Sequence, residues 1–257
     1  MCPDPQDVAA RLTQGHLLGG KLRYTQPAEG FRSGIEPVVL AAAIPARPGQ
    51  AVLEAGSGAG AALLCLVARV PVVQGYGVEK DISLARLANA NARDNGFTLV
   101  GVIPGDITGG RVPVMEAGAF DHAFANPPYH APAGTASPMP EREQAKRGTA
   151  GLLERWAQSM AKALRHRGTL TFILPATSLP ECLDAMAEAD CTASAVLPLW
   201  PKQNQPAKLV LVRGVKGGRT PLRLLPGLVL HEADGRFTPA AESILSEGAP
   251  LDALAKR

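Results

Sequence analysis

The residues best suited to chemistry stand together at Asn126-Pro127-Pro128-Tyr129, directly after the apolar run Phe120 to Ala125. Their types suit an unreactive nitrogen. The lone pair of an exocyclic amino or amide nitrogen is delocalised into its ring or carbonyl, so such a nitrogen attacks poorly. The Asn126 side-chain oxygen and the Pro127 carbonyl can each accept one N–H, which favours a pyramidal nitrogen with its lone pair aimed at an electrophile. That is positioning with oriented dipoles rather than strong-base catalysis. Successive prolines stiffen the segment, and Tyr129 offers a flat face on which a base can stack. Asn-Pro is also a common turn pair, so the weight of the motif depends on what precedes it. His130, next in the chain, reads as an exposed loop residue.

What precedes it is Leu53-Glu54-Ala55-Gly56-Ser57-Gly58-Ala59-Gly60, placed where a strand turns into a helix. Gly56, Gly58 and Gly60 permit positive φ and let backbone approach a ligand with no Cβ in the way. With Ala61 as its last member, the loop alone also fits the G-x-G-x-x-G/A fingerprint of NAD enzymes. Glu79 ends the following strand, at the distance where such folds place an acid on ribose hydroxyls, and a carboxylate suits that role as a pure acceptor. Asp106, in Gly105-Asp106-Ile107, is placed either to accept from an adenine amino group or to cap a turn. Glu54 closes a buried strand and must find partners among loop amides or a ligand ammonium group.

The elements that position these groups alternate along the chain. Ala51 to Glu54 predicts a buried strand, Ala61 to Val70 a helix, Val72 to Glu79 a strand, and Ile82 to Asn95 a helix closed by Gly96. Thr98 to Ile103 and Phe120 to Ala125 predict two more strands. Leu152 to Leu164 predicts a helix stopped at Gly168, followed by the strand Thr169 to Leu174. Beyond lie a helix, Leu179 to Ala189, and strands Ala193 to Leu199 and Ala207 to Val212, with Pro198 and Pro201 suggesting a hairpin-like return at the sheet edge. One more strand, Leu222 to His231, and a short helix near Ala240 complete the chain. This alternation implies an α/β fold whose parallel sheet is covered on both faces. Residues 1–48 read as an irregular, glycine-rich lead-in ending in an apolar helix from Pro37 to Ile44. Residues 130–150 read as a long loop, a place where function concentrates.

Composition agrees with an ordinary soluble globular protein: 257 residues, 46% hydrophobic, 19% charged, formal charge +3. The mild basicity permits a nucleic-acid partner without requiring one. Cys2, Cys65, Cys182 and Cys191 show no C-x-x-C pair and no histidine at ligand spacing, so neither a metal site nor a disulfide framework is expected. No signal-peptide pattern opens the chain and no apolar run reaches membrane-span length, so a cytoplasmic protein with no membrane partner is expected. The sequence assigns no oligomeric state.

These residues are similar to the Rossmann-like class I methyltransferases that carry an Asn-Pro-Pro-Tyr motif. The likeness sharpens at Tyr24-Thr25-Gln26-Pro27 and at Gly30-Phe31-Arg32-Ser33-Gly34-Ile35-Glu36-Pro37, continuing to Ala43. This stretch resembles the lead-in of bacterial tRNA (adenine-N6) methyltransferases, which modify the adenosine beside the anticodon of a valine tRNA. Pro140-Glu141-Arg142-Glu143-Gln144-Ala145-Lys146 resembles the segment that follows their motif. The resemblance spans roughly residues 15–215. It implies a mostly parallel seven-stranded sheet with helices on both faces and an antiparallel edge strand. One structural domain is implied, with residues 1–48 as a lead-in capping the cofactor and residues 49–257 as the methyltransferase domain with a C-terminal extension. It also implies S-adenosyl-L-methionine as cofactor, held by Arg32, Gly34, Ile35, Glu54, Gly56, Gly58, Gly60, Glu79, Asp106 and Asn126. Asn126, Pro127, Pro128 and Tyr129 are then catalytic, and Tyr129 holds the target base. Glu36 and Glu54 stand where the family often has Asp, and His130 where an aromatic residue is common.

RNA, tRNA above all, is the partner this implies. Arg142, Lys146 and Arg147 lie just past the motif, where phosphates beside a target base would sit, and Lys202, Lys208, Arg213, Lys216, Arg219 and Arg223 form a second basic region. Two other readings stay open at this point. A protein glutamine-N5 methyltransferase uses the same four residues for the same reason, but the lead-in is short for its separate substrate domain. An NAD-dependent oxidoreductase explains the glycine loop and leaves Asn126 to Tyr129 without a role.

Overall fold

The computed structural model describes residues 12–29, 34–109, 116–128 and 151–251. The strands are β1 (Leu12–Leu17), β2 (Leu22–Pro27), β3 (Ala51–Ala55), β4 (Gln74–Glu79), β5 (Val100–Pro104), β6 (Phe120–Ala125), β7 (Leu164–Pro175), β8 (Cys191–Lys202), β9 (Leu209–Lys216), β10 (Arg223–Leu224) and β11 (Leu228–His231). The helices are α1 (Glu36–Ala43), α2 (Ala61–Arg69), α3 (Ile82–Asp94), α4 (Leu152–Ala163), α5 (Leu179–Glu188) and the short α6 (Pro239–Glu242).

A nine-stranded sheet runs in the order β10-β8-β9-β7-β6-β3-β4-β5, with β11 also pairing with β8. Apolar side chains on both faces of the central strands are buried, because helices cover both sides of the sheet. Val52, Phe124, Ile173 and Leu211 face a core shared with α1, α2 and α3. Leu53, Ala123, Phe172 and Val212 face the opposite core, shared with α4 and α5. The mixed, mostly parallel α/β sheet flanked by helices is thus as expected, and three details differ. The sheet has nine strands rather than seven, because β10 and β11 add to the flank of β8. The antiparallel strand is internal: β9 pairs antiparallel with both β7 and β8. The chain passes from β7 through α5 to β8, then turns back to fill the gap between them. The run from Leu222 to His231 is two strands, not one, in tandem along the outer flank of β8. It breaks at Pro226, which has no N–H, and at Gly227, held at φ +91° where a Cβ would strike the Pro198 carbonyl and the Trp200 ring.

Other differences are local. Within the lead-in, β1 and β2 form an antiparallel hairpin with Leu17 opposite Leu22, so residues 12–27 are regular. Glycines that suggested irregularity make its turn: Gly19 and Gly20 take φ +61° and +96°. Helix α4 ends at Ala163 and β7 begins at once, with Arg167 at φ +66° and a shift of register between Phe120 and His122, so Gly168 lies inside the strand. Asp81 caps α3 by accepting from the Ser83 and Leu84 amides. The terminal carbonyls of α1 receive two guanidinium groups: Arg69 donates to Ala41 and Ile44, and Arg213 donates to Ala43. Arg213 is therefore 5% exposed, and burial lowers its pKa to about 10. It is a helix-capping cation and drops out of the basic surface expected near the C-terminus.

Candidate active site

Register brings the chemical residues together. Ala55 of β3 pairs with Ala125 of β6, and Val78 of β4 with Ala55. Glu79 pairs with Pro104 of β5. Gly56, Asn126, Glu79 and Asp106 therefore leave or follow neighbouring parallel strands at one edge of the sheet. Chain order reverses between β3 and β6, and the crevice outside such a switch point is where open α/β sheets bind ligands.

The glycine loop is tied residue by residue. The Gly56 and Ser57 amides donate to the Val78 carbonyl at 2.8 and 3.2 Å, and the Gly60 amide donates to the Ser57 carbonyl at 2.8 Å. Glu79 Oε2 accepts the Gly58 amide at 2.8 Å while Oε1 accepts the Asp81 amide at 2.9 Å. The glycines serve different ends. A Cβ on Gly56, at φ +65°, would lie 2.6 Å from the Trp156 ring, so this glycine makes room for α4. A Cβ on Gly58, at φ +55°, would meet nothing within 4 Å and would project into open space. Gly58 is therefore the position where a ligand can approach main chain.

Glu54, 4% exposed, turns inward and accepts the Leu63 amide at 3.1 Å, capping the first turn of α2 in place of an ordinary N-cap side chain. Burial drives its carboxyl well above the usual range; the Leu63 hydrogen bond opposes this and the nearby Glu79 adds to it. Asp106 binds Thr108 through its amide at 2.8 Å and its hydroxyl at 2.7 Å, and Lys80 Nζ lies 2.9 Å from Oδ2. Those hydrogen bonds and that cation lower its pKa to about 2, so it is an ionised acceptor at neutral pH. Asn126 is half-buried, Pro127 buried and Pro128 exposed. Gly34 is exposed and Ile35 half-buried at the start of α1. Arg32, Tyr129, His130, Arg142, Lys146 and Arg147 lie outside the described residues.

The arrangement fits a nucleoside-bearing cofactor. A bare backbone approach at Gly58, an acid on β4 with acceptor sites left after its two amide bonds, and an ionised Asp106 after β5 supply what a phosphate-free nucleoside needs. Among the described residues no group of His, Cys, Asp or Glu could hold a metal ion, and Cys65, Cys182 and Cys191 are free and buried. Burial pushes the thiols of Cys182 and Cys191 up to about 12. No described helix is long and apolar enough to cross a membrane. Sequence reasoning missed Trp156 beneath Gly56. It also missed Asn91 on α3, 2% exposed, which binds the Ala59 carbonyl.

A mostly parallel sheet whose chain order reverses between β3 and β6 defines a Rossmann-like α/β fold. The chain belongs to the methyltransferase small domain family, whose model matches residues 36–175, and it is an S-adenosyl-L-methionine-dependent methyltransferase. Two relatives are tRNA1(Val) (adenine(37)-N6)-methyltransferases of Actinobacillus pleuropneumoniae, from serotype 5b (strain L20) and serotype 7 (strain AP76). They are 26% and 25% identical over 209 residues, which is 80% of this chain and 85% of each relative. Among solved structures, one described as a predicted O-methyltransferase from Agrobacterium tumefaciens has a TM-score of 0.69 at 22% identity. The match covers 84% of this chain and 97% of that one, and it shows the fold. Family membership resolves the ambiguity of the glycine loop in favour of methyl transfer and against a nicotinamide dinucleotide.

Proposed function

We propose that this enzyme methylates the exocyclic N6 of an adenine in RNA, with tRNA as the substrate. The observation that carries the reading is the register of β3 with β6, Ala55 opposite Ala125, which makes the glycine loop and Asn126-Pro127-Pro128 emerge side by side. Relatives whose names specify N6 of adenine 37 in a tRNA, matched over 80% of this chain, support adenine over other nitrogens. The lead-in over residues 1–48 acts as a cap on the cofactor.

When bound, S-adenosyl-L-methionine supplies an electrophilic methyl group. The chain does the rest. Glu79 would accept from ribose hydroxyls, Asp106 would accept from the cofactor's adenine amino group, Gly58 would allow close main-chain approach, and Arg32, Gly34 and Ile35 would add further contacts. The Asn126 side-chain oxygen and the Pro127 carbonyl accept the two N–H groups of the target and turn its lone pair toward the methyl, while Tyr129 stacks on the base. Arg142, Lys146 and Arg147 bind flanking phosphates.

Incubation with methyl-labelled S-adenosyl-L-methionine and total tRNA, rRNA or protein tests the reading. Label is expected in tRNA and, after digestion to nucleosides, in N6-methyladenosine. Label on protein glutamine with none on RNA would overturn it.

A further inference from the structure

The glycine loop is held by helix α3 as well as by Glu79. Helix α3 carries Asn91, whose amide group makes three hydrogen bonds. Its Nδ2 donates to the Ala59 carbonyl at 3.0 Å and to the Thr25 carbonyl at 2.8 Å, while its Oδ1 accepts the Thr25 amide at 2.9 Å. One turn later, Asn95 does the same for Arg23: Oδ1 accepts its amide at 2.9 Å and Nδ2 donates to its carbonyl at 2.7 Å. The two side chains, at i and i+4 on one helix face, thus serve alternate residues of β2 as a neighbouring strand would. Only Asn91 also reaches the glycine loop.

Ala59 sits between Gly58 and Gly60, at φ +55° and +91°. Glycines on both sides give its peptide groups little stiffness of their own. Two side chains limit that freedom from opposite directions: Glu79 fixes the Gly58 amide and Asn91 fixes the Ala59 carbonyl. We propose that Asn91 is a positioning residue for the methyl donor, setting the aim of the loop at Gly58 and locking it to the β1–β2 hairpin. Asn95 anchors the same hairpin and has no part in aiming the loop. The inference rests on the assignment of S-adenosyl-L-methionine to this loop and is independent of which nitrogen is methylated.

Binding of S-adenosyl-L-homocysteine by calorimetry tests it, since no methyl acceptor is needed. Asn91→Ala should weaken binding about tenfold, the effect of losing a buried hydrogen bond and the order it imposes. Asn91→Asp keeps the acceptor for the Thr25 amide but loses the donors to the Thr25 and Ala59 carbonyls and sets a carboxylate oxygen against them, so it should weaken binding at least as much. Asn95→Ala should leave affinity within about twofold although it removes the Arg23 bonds and a 2.8 Å bond to the Asn91 carbonyl, because none of these reaches the glycine loop. At saturating cofactor, Asn91→Asp should keep its turnover within about threefold, so that the loss falls on KM. Folded Asn91 variants with wild-type affinity, or equal losses for Asn91→Ala and Asn95→Ala, would overturn the role of Asn91 alone. Failure of the wild-type protein to bind would overturn the cofactor assignment and this inference with it.

Discussion

Both ends of the sheet carry partly buried polar clusters, and they differ in what their hydrogen-bonding groups leave unused. At the amino ends of the strands, His122 Nδ1 lies 2.8 Å from Thr169 Oγ1 and Nε2 lies 3.1 Å from Gln50 Oε1. Asp121 accepts from the Gln50 side chain and the Ala51 amide at 3.2 and 2.9 Å, and pairs with Arg165 at 2.6 Å. Each side chain there answers another, and the cluster is closed. At the carboxyl ends, Glu79 is satisfied by main-chain amides alone, and a carboxylate with about four acceptor sites retains room for more. Polarity in a sheet of this kind therefore marks function where acceptor capacity faces a crevice, and structure where it closes on itself.

The contrast can be broken by mutation. The largest effect should come from Asn126→Ala, which tests the proposed acceptor for the reacting nitrogen: transfer is expected to fall about 100- to 1,000-fold with S-adenosyl-L-homocysteine affinity intact. A variant that transfers normally would remove Asn126 from the chemistry. Glu79→Ala should come next. Loss of charged hydrogen bonds to ribose, and of the partner of the Gly58 amide, should raise the cofactor Kd about 10- to 100-fold by calorimetry. Unchanged affinity would mean that Glu79 serves only the loop. The smallest effect on transfer should be at the closed end. Burial lowers the His122 pKa to about 4, opposed by Asp121 and reinforced by nearby arginines. The folded protein holds this ring neutral while the unfolded chain binds a proton below about pH 6.5, so stability should fall as pH drops from 6.5 toward 4. The full swing is about 3 kcal/mol. His122→Gln should flatten that part of the urea-unfolding profile and leave transfer at neutral pH unchanged. A profile identical to wild type would show that His122 does not titrate as its burial implies.

Much of the candidate site's placement was legible because local rules governed it. Glycines ending a strand, an acid ending the next strand and Asn-Pro-Pro ending β6 each follow from backbone needs and spacing, and parallel register then aligns them. What escaped depended on tertiary contact. The apolar spacing of Leu153, Trp156, Ala157 and Met160 places Trp156 on a buried face, but only the packed α4 shows that it lies against Gly56. Arg213 looked like surface charge, yet it interrupts the apolar run of a strand covered on both faces, which was a usable sign of burial. Asn89, Asn91 and Asn95 were the missed signal. Asparagine is a poor helix former, and this many in one helix implied work for the side chains. The hairpin was hidden because its turn glycines resemble those of an unstructured lead-in.

One of those asparagines has a consequence for the molecule in company. Asn89 accepts the Val102 amide at 3.0 Å and donates to the Val102 carbonyl at 2.7 Å, on the flank of β5 away from β4. Pro104, further along that flank, has no amide to offer. On the far side of the sheet, β10 and β11 lie along β8. Strand addition, the route by which open sheets recruit a second copy or grow into fibrils, thus meets a side-chain amide and a proline on one margin and short sacrificial strands on the other.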